Sequence, residues 1–242
     1  MRLLVSVTNR VEALRAVEGG AHIIDVKNPK EGSFGANFPW IIREVRKVVP
    51  NSLEMSATIG DLPNLPGTAS LAALGAAVSG ADYIKVGLFG VKTKPEAVNL
   101  MEKVCTAVEE YNRPSKVIAA GYADFKVAGC LNPLSLPEVA HEAGAHGVLV
   151  DVKAKKSGGL FDFLKDSELR ELVDKSHRYG LTVALAGSLD VGDVERVFTL
   201  GADIIGVRRA VCRGKDRLRG TVQKEAVREF IKKINALESV RP

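Results

Sequence analysis

The order of apolar and polar positions along the chain contains a pattern that repeats four times. In each repeat a glycine follows a helical segment, and a short run of mostly apolar residues comes directly after it. The four segments are GGAHIIDVK at 19–27, SGADYIKVG at 79–87, AGAHGVLVD at 143–151 and LGADIIGVR at 200–208. Their shared glycines, Gly20, Gly80, Gly144 and Gly201, lie about sixty residues apart, which is the length of two strand–helix units. We therefore predict that the repeats are alternate strands of one sheet.

The strands between the repeats are visible as further short apolar runs. They lie at residues 3–7, 54–59, 117–121 and 182–186. Helical patterns follow, for example at 38–45, 95–111 and 223–235. Eight strands that alternate with eight helices predict an α/β fold with a parallel sheet, and units of about 30 residues predict its closure into a TIM (β/α)8 barrel. We expect one catalytic domain over residues 1–242, and a doubly wound open sheet is the alternative.

Each repeat also predicts which side chains enter the barrel, because side chains alternate between the two faces of a strand. One face of the four strands is aliphatic and suits packing against outer helices. The opposite face carries Asp25, Lys27, Lys85, Asp151 and Arg208, all near the carboxyl ends of their strands. We expect these charged groups to converge in the lumen at the end where TIM barrels build their active sites.

The positive net charge indicates that the binding partner is an anion. The net charge is +5, and the pI is near 9.1, which is compatible with nucleic acid or with small anionic substrates. The distinctive lysines belong to the lumen rather than to one outer face. We therefore expect a small phosphorylated aldehyde or ketone as substrate and no nucleic-acid partner. The sequence leaves open whether copies of the chain form a homo-oligomer.

Several classes of protein are disfavoured by what the sequence contains. The apolar runs are much shorter than the roughly 18 residues that a membrane span needs. The first residues read as a strand rather than a signal peptide, because no small-residue cleavage site follows them. Cys105, Cys130 and Cys212 are far apart without metal-binding spacing, and no nucleotide motif is present. We expect a cytoplasmic protein with reduced thiols, no membrane contact, no metal and no cofactor.

The lumen charges have two interpretations. One is a structural ion-pair network, in which Asp25 and Asp151 neutralise Lys27 and Lys85. The other is amine catalysis, in which a lysine attacks a carbonyl as the free amine. At an ordinary pKa of about 10.4, roughly one lysine in 2,500 is neutral at pH 7, and desolvation or a second cation raises that fraction. We favour catalysis because the charges lie at the catalytic end. Of Lys27 and Lys85, one would form the imine and the other would move protons.

Neighbouring residues add candidates for proton transfer. Asp25 precedes Lys27 by two residues on the same face, so it is placed to orient the amine or to accept a proton, and Asp151 is placed likewise. Lys155 and Lys153 follow Asp151 and either reach the site from the loop or remain solvated. For Lys153 and Lys156 we favour solvated side chains.

A phosphate site is predicted by two loops. In TIM barrels the loops after the seventh and eighth strands commonly bind phosphate through backbone N–H groups. Here the first loop contains Gly187 and Ser188, and the second segment contains Gly206 and Arg208. Glycine lets an anion approach the backbone, and arginine can pair with it. Gly187 alone would be explained equally well as an ordinary turn glycine, but the two loops together favour phosphate.

Three blocks of the sequence resemble the (5-formylfuran-3-yl)methyl phosphate synthase family, also called 4-(hydroxymethyl)-2-furancarboxaldehyde-phosphate synthases. The longest and most specific block is DVKNPKEGSFGANFPW at 25–40. The others are LAALGAA at 71–77 with ADYIKVG at 81–87, and GVRRAVC at 206–212. The resemblance covers essentially the whole chain.

This resemblance implies a TIM-barrel lyase of methanofuran biosynthesis that condenses two molecules of glyceraldehyde 3-phosphate, with loss of phosphate and water. It also implies a Schiff-base lysine at Lys27, a proton-transfer lysine at Lys85 and a further site lysine at Lys155. The chemistry expected from the residues agrees: one triose phosphate becomes a ketone, is held as an enamine and attacks the aldehyde of the second. A general class I aldolase or isomerase of triose or sugar phosphates is the alternative enzyme.

Overall fold

The computed structural model describes residues 1–111 and 115–239, and its strands close into one parallel barrel in the order of the sequence. Each strand pairs with its neighbours along the chain, and the first also pairs with the eighth. The strands are β1 (Arg2–Val7), β2 (Ile23–Val26), β3 (Glu54–Pro63), β4 (Tyr83–Gly90), β5 (Lys116–Tyr122), β6 (Gly147–Asp151), β7 (Thr182–Leu185) and β8 (Ile204–Val207). The closed (β/α)8 barrel predicted from the repeats is confirmed, and the open sheet is excluded.

The helices of the described residues surround this barrel. Eight of them have six or more residues, and two single-turn helices, Phe125–Ala128 and Leu160–Phe163, are additions that the sequence pattern did not predict. In chain order they are α1 (Arg10–Glu18), α2 (Pro39–Arg46), α3 (Pro66–Val78), α4 (Lys94–Glu110), α5 (Phe125–Ala128), α6 (Leu136–Glu142), α7 (Leu160–Phe163), α8 (Asp166–Arg178), α9 (Val194–Thr199) and α10 (Lys224–Glu238).

The repeated glycines end helices, as predicted. Gly20, Gly80, Gly144 and Gly201 all have positive φ, between 71° and 103°, a backbone conformation that residues with a Cβ adopt only at a cost. Each reverses the chain from an outer helix into a strand of the barrel. The sequence repeat therefore arises because the same turn geometry precedes β2, β4, β6 and β8.

Strand alternation separates an outer core from the lumen. Ile24, Val26, Ile84 and Val86 belong to the main core between the sheet and the helices, as their places in the repeat predict. The opposite side chains point inward. At the amino ends of the strands the lumen is filled by an apolar cluster that includes Leu4, Ile23, Tyr83, Ile118, Leu149, Ala184 and Ile204. This cluster, which we call the barrel floor, lies beneath the charged groups.

The charged groups lie above the floor, at the carboxyl ends of the strands. Asp25, Lys27, Lys85, Asp151 and Arg208 are all buried, with side chains that face the same lumen. Of the helices in the described part of the chain, none is long and apolar enough to cross a lipid bilayer.

Candidate active site

Asp25 and Lys85 form a buried ion pair between β2 and β4. Lys85 Nζ lies 2.6 Å from Asp25 Oδ1, and the same carboxylate accepts hydrogen bonds from Ser6 Oγ at 2.8 Å and Ser56 Oγ at 2.7 Å. Burial alone would raise the pKa of Asp25, but the charges of Lys85 and then Lys27 hold it below its ordinary value. Asp25 is therefore a fixed carboxylate that orients Lys85.

Asp151 and Lys155 form the second buried pair, one turn of chain apart. Lys155 Nζ donates to Asp151 Oδ1, which also accepts the N–H of Val152 at 2.8 Å. Burial alone would raise the pKa of Asp151, but Lys155 and then Lys27 keep it low. Burial in turn lowers the pKa of Lys155, an effect that Asp151 partly offsets. Lys155 therefore reaches the site, which agrees with the place that the family resemblance implies for it.

Lys27 is different, because no carboxylate of the described residues lies within ion-pair distance of its amine. Its Nζ donates instead to the backbone oxygen of Ser33 at 3.3 Å. Burial is the main reason that the pKa of Lys27 falls to about 7, with Asp151 and Asp25 opposing the shift and Lys85 and Lys155 adding to it. A lysine with this pKa is about half neutral at pH 7 and is available as a nucleophile.

The segment between β2 and α2, residues 27–38, folds over the mouth of the barrel. Its Phe34 is buried, lines the same pocket as Lys27, and has its ring centroid 6.0 Å from Lys85 Nζ. Thr58 Oγ1 donates to the oxygen of Gly35 at 2.7 Å, and Ser33 Oγ donates to the oxygen of Val152 at 2.7 Å. The most specific sequence block thus forms the cover of the site.

Asp61, near the end of β3, holds this cover in place. Its carboxylate accepts the backbone N–H groups of Ser33 at 3.0 Å and Phe34 at 3.2 Å. It also accepts the hydroxyl of the buried Tyr122 and forms an ion pair with Lys153. Burial, followed by the charge of Asp61, raises the pKa of Tyr122 well above its ordinary value, so the phenol stays a proton donor to the carboxylate.

The prediction of a solvated Lys153 is therefore wrong. Besides its ion pair with Asp61, its Nζ lies 4.3 Å from the centroid of the Phe89 ring, a cation–π contact. The sequence could not reveal this partner, because Asp61 lies on a strand outside the repeat. Lys156 is exposed, as predicted.

The four residues predicted to bind phosphate lie together beside the lysines. Gly187, Ser188, Gly206 and Arg208 all line the pocket that contains Lys27, Lys85 and Lys155. Ser188 has a left-handed backbone with φ of 61°, next to Gly187 at 114°. Non-glycine residues in this region are uncommon and concentrate at functional sites. Within the described ranges, the N–H groups of Gly187 and Ser188 donate to no protein acceptor.

Arg208 is more engaged than the sequence suggested. Its Nη1 donates to Glu12 Oε2 at 2.9 Å and to the oxygen of Ser6 at 3.0 Å, and its Nε donates to the oxygen of Arg217 at 2.8 Å. Glu12 is buried on α1 and neutralises this guanidinium from behind. Arg208 therefore stiffens the wall of the pocket, and only part of its donor set is left to face an anion.

Two further arginines line the pocket and were missed from the sequence. Arg209 donates to the oxygen of Ser188 at 3.1 Å, and Arg217 donates to the oxygen of Gly32 at 3.1 Å. Arg209 was visible as the neighbour of Arg208 but does not share its place in the strand alternation. Arg217 lies in the loop after β8, where no periodic signal exists. Both add positive charge to a site already rich in lysine.

The site therefore combines one unpaired amine of low pKa, two carboxylate–lysine pairs and a guanidinium-rich wall. This set can form an imine, move protons and hold phosphate dianions. In the part of the chain that the structure describes, no three His, Cys, Asp or Glu side chains are grouped to hold a metal ion.

Comparison with protein families gives a match to the family described as 4-HFC-P synthase, over residues 3–231. A (5-formylfuran-3-yl)methyl phosphate synthase from Methanopyrus kandleri is 55% identical over 229 residues, which are 95% of this chain and 97% of that protein. The proteins of the same name from Methanosarcina acetivorans and Methanocaldococcus jannaschii are 52% and 51% identical. The two alignments include 96% and 95% of this chain, respectively, and 98% of each relative.

Solved structures show the same fold at low sequence identity. The 3-hexulose-6-phosphate synthase of Salmonella typhimurium superposes with a TM-score of 0.69 at 17% identity, covering 98% of this chain and 99% of that chain. The phosphoribosyl anthranilate isomerase of Thermus thermophilus does so with a TM-score of 0.65 at 19% identity, covering 98% and 100%. At these identities the likeness is one of fold alone.

Proposed function

The chain belongs to the 4-HFC-P synthase family, and we propose that it is a lyase that makes (5-formylfuran-3-yl)methyl phosphate from two molecules of glyceraldehyde 3-phosphate through an imine on Lys27. The balanced reaction also releases one inorganic phosphate and two molecules of water. The family resemblance further implies a place in methanofuran biosynthesis, which we adopt as part of the proposal.

The observation that carries the proposal is the environment of Lys27. Lys85 and Lys155 are each held by a carboxylate, whereas Lys27 donates only to a backbone oxygen and its pKa falls to about 7. A buried amine that is half neutral is suited to attack a ketone or aldehyde. A purely structural network would leave its cations paired, so this arrangement supports catalysis over the structural alternative.

The name of the family product restricts which carbon–carbon bond can form. The phosphomethyl group is at ring position 3, and the formyl group is at position 5. Only the bond between positions 3 and 4 divides this skeleton into two unbranched three-carbon units. One unit keeps its phosphate and is joined through its central carbon. The other keeps its aldehyde and is joined through the carbon that carried its phosphate.

The enamine attack on an aldehyde carbon, expected from the sequence, would not give this skeleton. We propose instead that Lys27 forms its imine with dihydroxyacetone phosphate, produced by isomerisation of the first triose, and so releases one water. The second triose loses the proton next to its aldehyde and then expels phosphate with the electron pair of the broken C–O bond. The resulting enol attacks the imine carbon through its terminal CH₂ carbon, which forms the new bond.

Ring closure follows from the groups that this bond brings together. The terminal hydroxyl of the imine-bound unit adds to the ketone of the second unit, and loss of water and of the Lys27 amine gives the furan. These steps need several proton transfers, and we assign them to the two pairs, Lys85 with Asp25 and Lys155 with Asp151. The retained phosphate is assigned to Gly187, Ser188, Gly206 and Arg208.

The test is incubation of the protein with glyceraldehyde 3-phosphate, followed by mass spectrometry of the products and an assay of released phosphate. We expect the furan aldehyde phosphate and phosphate in equal amounts. Borohydride added during turnover is expected to attach a reduced triose to Lys27, and the Lys27→Met variant serves as the matched control. An open-chain sugar bisphosphate without phosphate release would identify a class I aldolase instead.

A further inference from the structure

Two connected cavities open at the carboxyl end of the barrel, and one of them has no role in the scheme above. The lumen pocket around Lys27 has a volume of about 40 Å³. A second cavity of about 510 Å³ lies beside it, toward α7 and α9. The two share five lining residues, which are Lys155, Gly187, Ser188, Leu189 and Arg209. A molecule in the second cavity therefore lies next to one bound to Lys27.

The lumen pocket is too small for both substrates of the proposed reaction. By the same measure one water needs about 10–15 Å³, so 40 Å³ is room for about three waters. Each triose phosphate has ten non-hydrogen atoms. One of them can enter only with its phosphate toward the mouth, and the other must lie mostly outside the lumen. The adjoining cavity is large enough to hold it.

The lining of this second cavity favours an anion. Four cationic residues line it, Lys155, Lys156, Arg196 and Arg209, against two acidic ones, Asp162 and Asp193. The two carboxylates accept the backbone N–H groups of Gly159 at 2.7 Å and Asp190 at 2.9 Å. Within the described part of the chain, Lys156 forms no ion pair and is exposed. The cavity therefore offers uncommitted positive charge next to the reacting amine.

Arg209 lies at the boundary, because it lines both cavities. Its Nη2 is held by the oxygen of Ser188 at 3.1 Å, which fixes the guanidinium. Among the described residues its Nη1 donates to no protein acceptor, so this end of the guanidinium is free to donate to an anion at the cavity wall. A phosphate oxygen is an acceptor that suits a guanidinium.

We propose that this second cavity is the subsite for the phosphate of the second triose, the phosphate that leaves during the reaction. Arg209 donates to it at the boundary, and Lys156 contributes charge from the solvent side. The departing phosphate then reaches solvent past Lys156 without crossing the imine on Lys27. This assignment rests on the proposed function, but the existence of a second anion site can be tested without turnover.

The first experiment measures binding of inorganic phosphate to the intact protein by calorimetry. We expect two phosphates per chain in the wild type and one in the double variant Arg209→Gln with Lys156→Gln. The control variant, Arg178→Gln with Lys103→Gln, changes two exposed residues on α8 and α4 and is expected to keep both sites. One site in the wild type, or two in the Arg209 and Lys156 variant, would overturn the proposal.

The second experiment separates the two subsites during reaction. Borohydride trapping of dihydroxyacetone phosphate on Lys27 measures binding at the subsite of the retained phosphate. KM for glyceraldehyde 3-phosphate, at saturating dihydroxyacetone phosphate, measures binding at the subsite of the leaving phosphate. Lys156→Gln is expected to raise that KM a few-fold, the usual effect of an exposed charge, and to leave trapping unchanged. Arg209→Gln is expected to raise it about 10- to 100-fold, the usual loss for a charged hydrogen bond, and also to weaken trapping, because Arg209 holds Ser188 in the lumen pocket. Lys156→Gln alters an exposed side chain, so its result does not depend on refolding of the pocket.

The outcomes also distinguish this proposal from the proposed function. A wild type that binds two phosphates but makes no furan would refute the furan synthesis and leave the second anion site in place. If the wild type makes the furan but Lys156→Gln changes trapping and KM together, or changes neither, the separate subsite is refuted and the synthesis remains in place.

Discussion

Lys85 Nζ lies 2.6 Å from Asp25 Oδ1, and neither side chain is exposed to solvent beyond 3%. The pair joins β4 to β2 across the lumen, directly beneath Lys27. Two serine hydroxyls complete the hydrogen bonds of the carboxylate. The pair is therefore both a structural link and a candidate proton carrier that lines the same pocket as the reactive amine, and the two roles can be separated by mutation.

Lys85→Ala is expected to destabilise the fold by about 3–5 kcal/mol, because it leaves the Asp25 charge buried without a counterion. Adding Asp25→Asn removes that charge and is expected to restore most of the stability. Activity should fall about 10²–10⁴-fold in the single and the double variant, the usual loss for a proton-transfer group. Denaturant unfolding and turnover measured side by side check both expectations.

Lys85→Arg isolates the proton-transfer role. Arginine keeps the positive charge beside Asp25 but does not release a proton near neutral pH. We expect a variant nearly as inactive as Lys85→Ala. Near-normal turnover in a folded Lys85→Arg protein would show that Lys85 acts by its charge alone.

The pH dependence of imine formation follows from the pKa of Lys27. The amine is reactive when neutral, and its pKa is about 7, so the neutral fraction rises through pH 7 and is nearly complete by pH 9. We expect the rate of reductive trapping with dihydroxyacetone phosphate to rise below pH 7 and to level off above pH 8, relative to a simple alkylamine measured in parallel. A rate that keeps rising tenfold per pH unit to pH 10 would indicate an ordinary lysine.

Lys27 is also expected to cost stability at low pH. The pKa of Lys27 in the folded protein lies below the ordinary value of 10.5. Below pH 7 the amine is therefore protonated in both the folded and the unfolded protein, and folding must bury its charge. Between about pH 7 and 10.5 the unfolded chain holds a proton that the folded chain lacks, so the free energy of unfolding due to this group rises with pH. Lys27→Met should therefore stabilise the protein by a few kcal/mol at pH 6, and by much less at pH 10.

Denaturant unfolding at pH 6 and pH 10 checks this expectation, with Lys103→Met on the exposed face of α4 as the matched control. The two ion pairs of the lumen do not include Lys27, so the substitution leaves both carboxylates with their partners. A Lys27→Met protein less stable than the wild type at pH 6 would contradict the low pKa.

Asp61 is expected to act on the site through the cover segment 27–38. Asp61→Asn removes the charge that holds Lys153 and weakens the acceptor of the Ser33 and Phe34 amides. We expect it to lower the free energy of unfolding by about 1–3 kcal/mol. With Phe34 less well positioned over Lys85, activity should fall tenfold or more, because small misplacements at reacting groups are costly. Limited proteolysis should detect cleavage within 27–38, whereas Asp174→Asn on the exposed side of α8 should change neither readout.

The fold was predictable because its signal is local and repeated. A helix-ending glycine followed by an alternating strand identifies both the turn and the inward face, so the sequence alone assigns Asp25, Lys27, Lys85, Asp151 and Arg208 to the lumen. The same logic fails for residues on the odd-numbered strands. Asp61 lies two residues before the end of β3 and Tyr122 ends β5, and whether they meet depends on strand register and on where the cover segment folds.

The pairing of charges could not be read from the sequence either. The sequence left open whether desolvation or a second cation lowers the pKa of Lys27; burial is the main cause, and Lys85 adds to it although it is bound to Asp25. Likewise the sequence assigned Arg208 to phosphate but gave no sign that it also binds Glu12, a helix residue that no strand pattern brings to the lumen. Several acidic residues could pair with each cation, and which one does so depends on their distances in the folded structure.

The apolar floor of the barrel leaves the active site open to solvent at one end of the barrel only. Leu4, Ile23 and the other side chains of that cluster close the lumen at the amino ends of the strands, so everything that reaches or leaves Lys27 must pass the carboxyl end of the barrel. In the proposed reaction the ketose bound to Lys27 lies deepest, so it must enter before the second triose, and the amine is reached again only after the product has left. We therefore expect an excess of product to slow the reaction without a dedicated regulatory site.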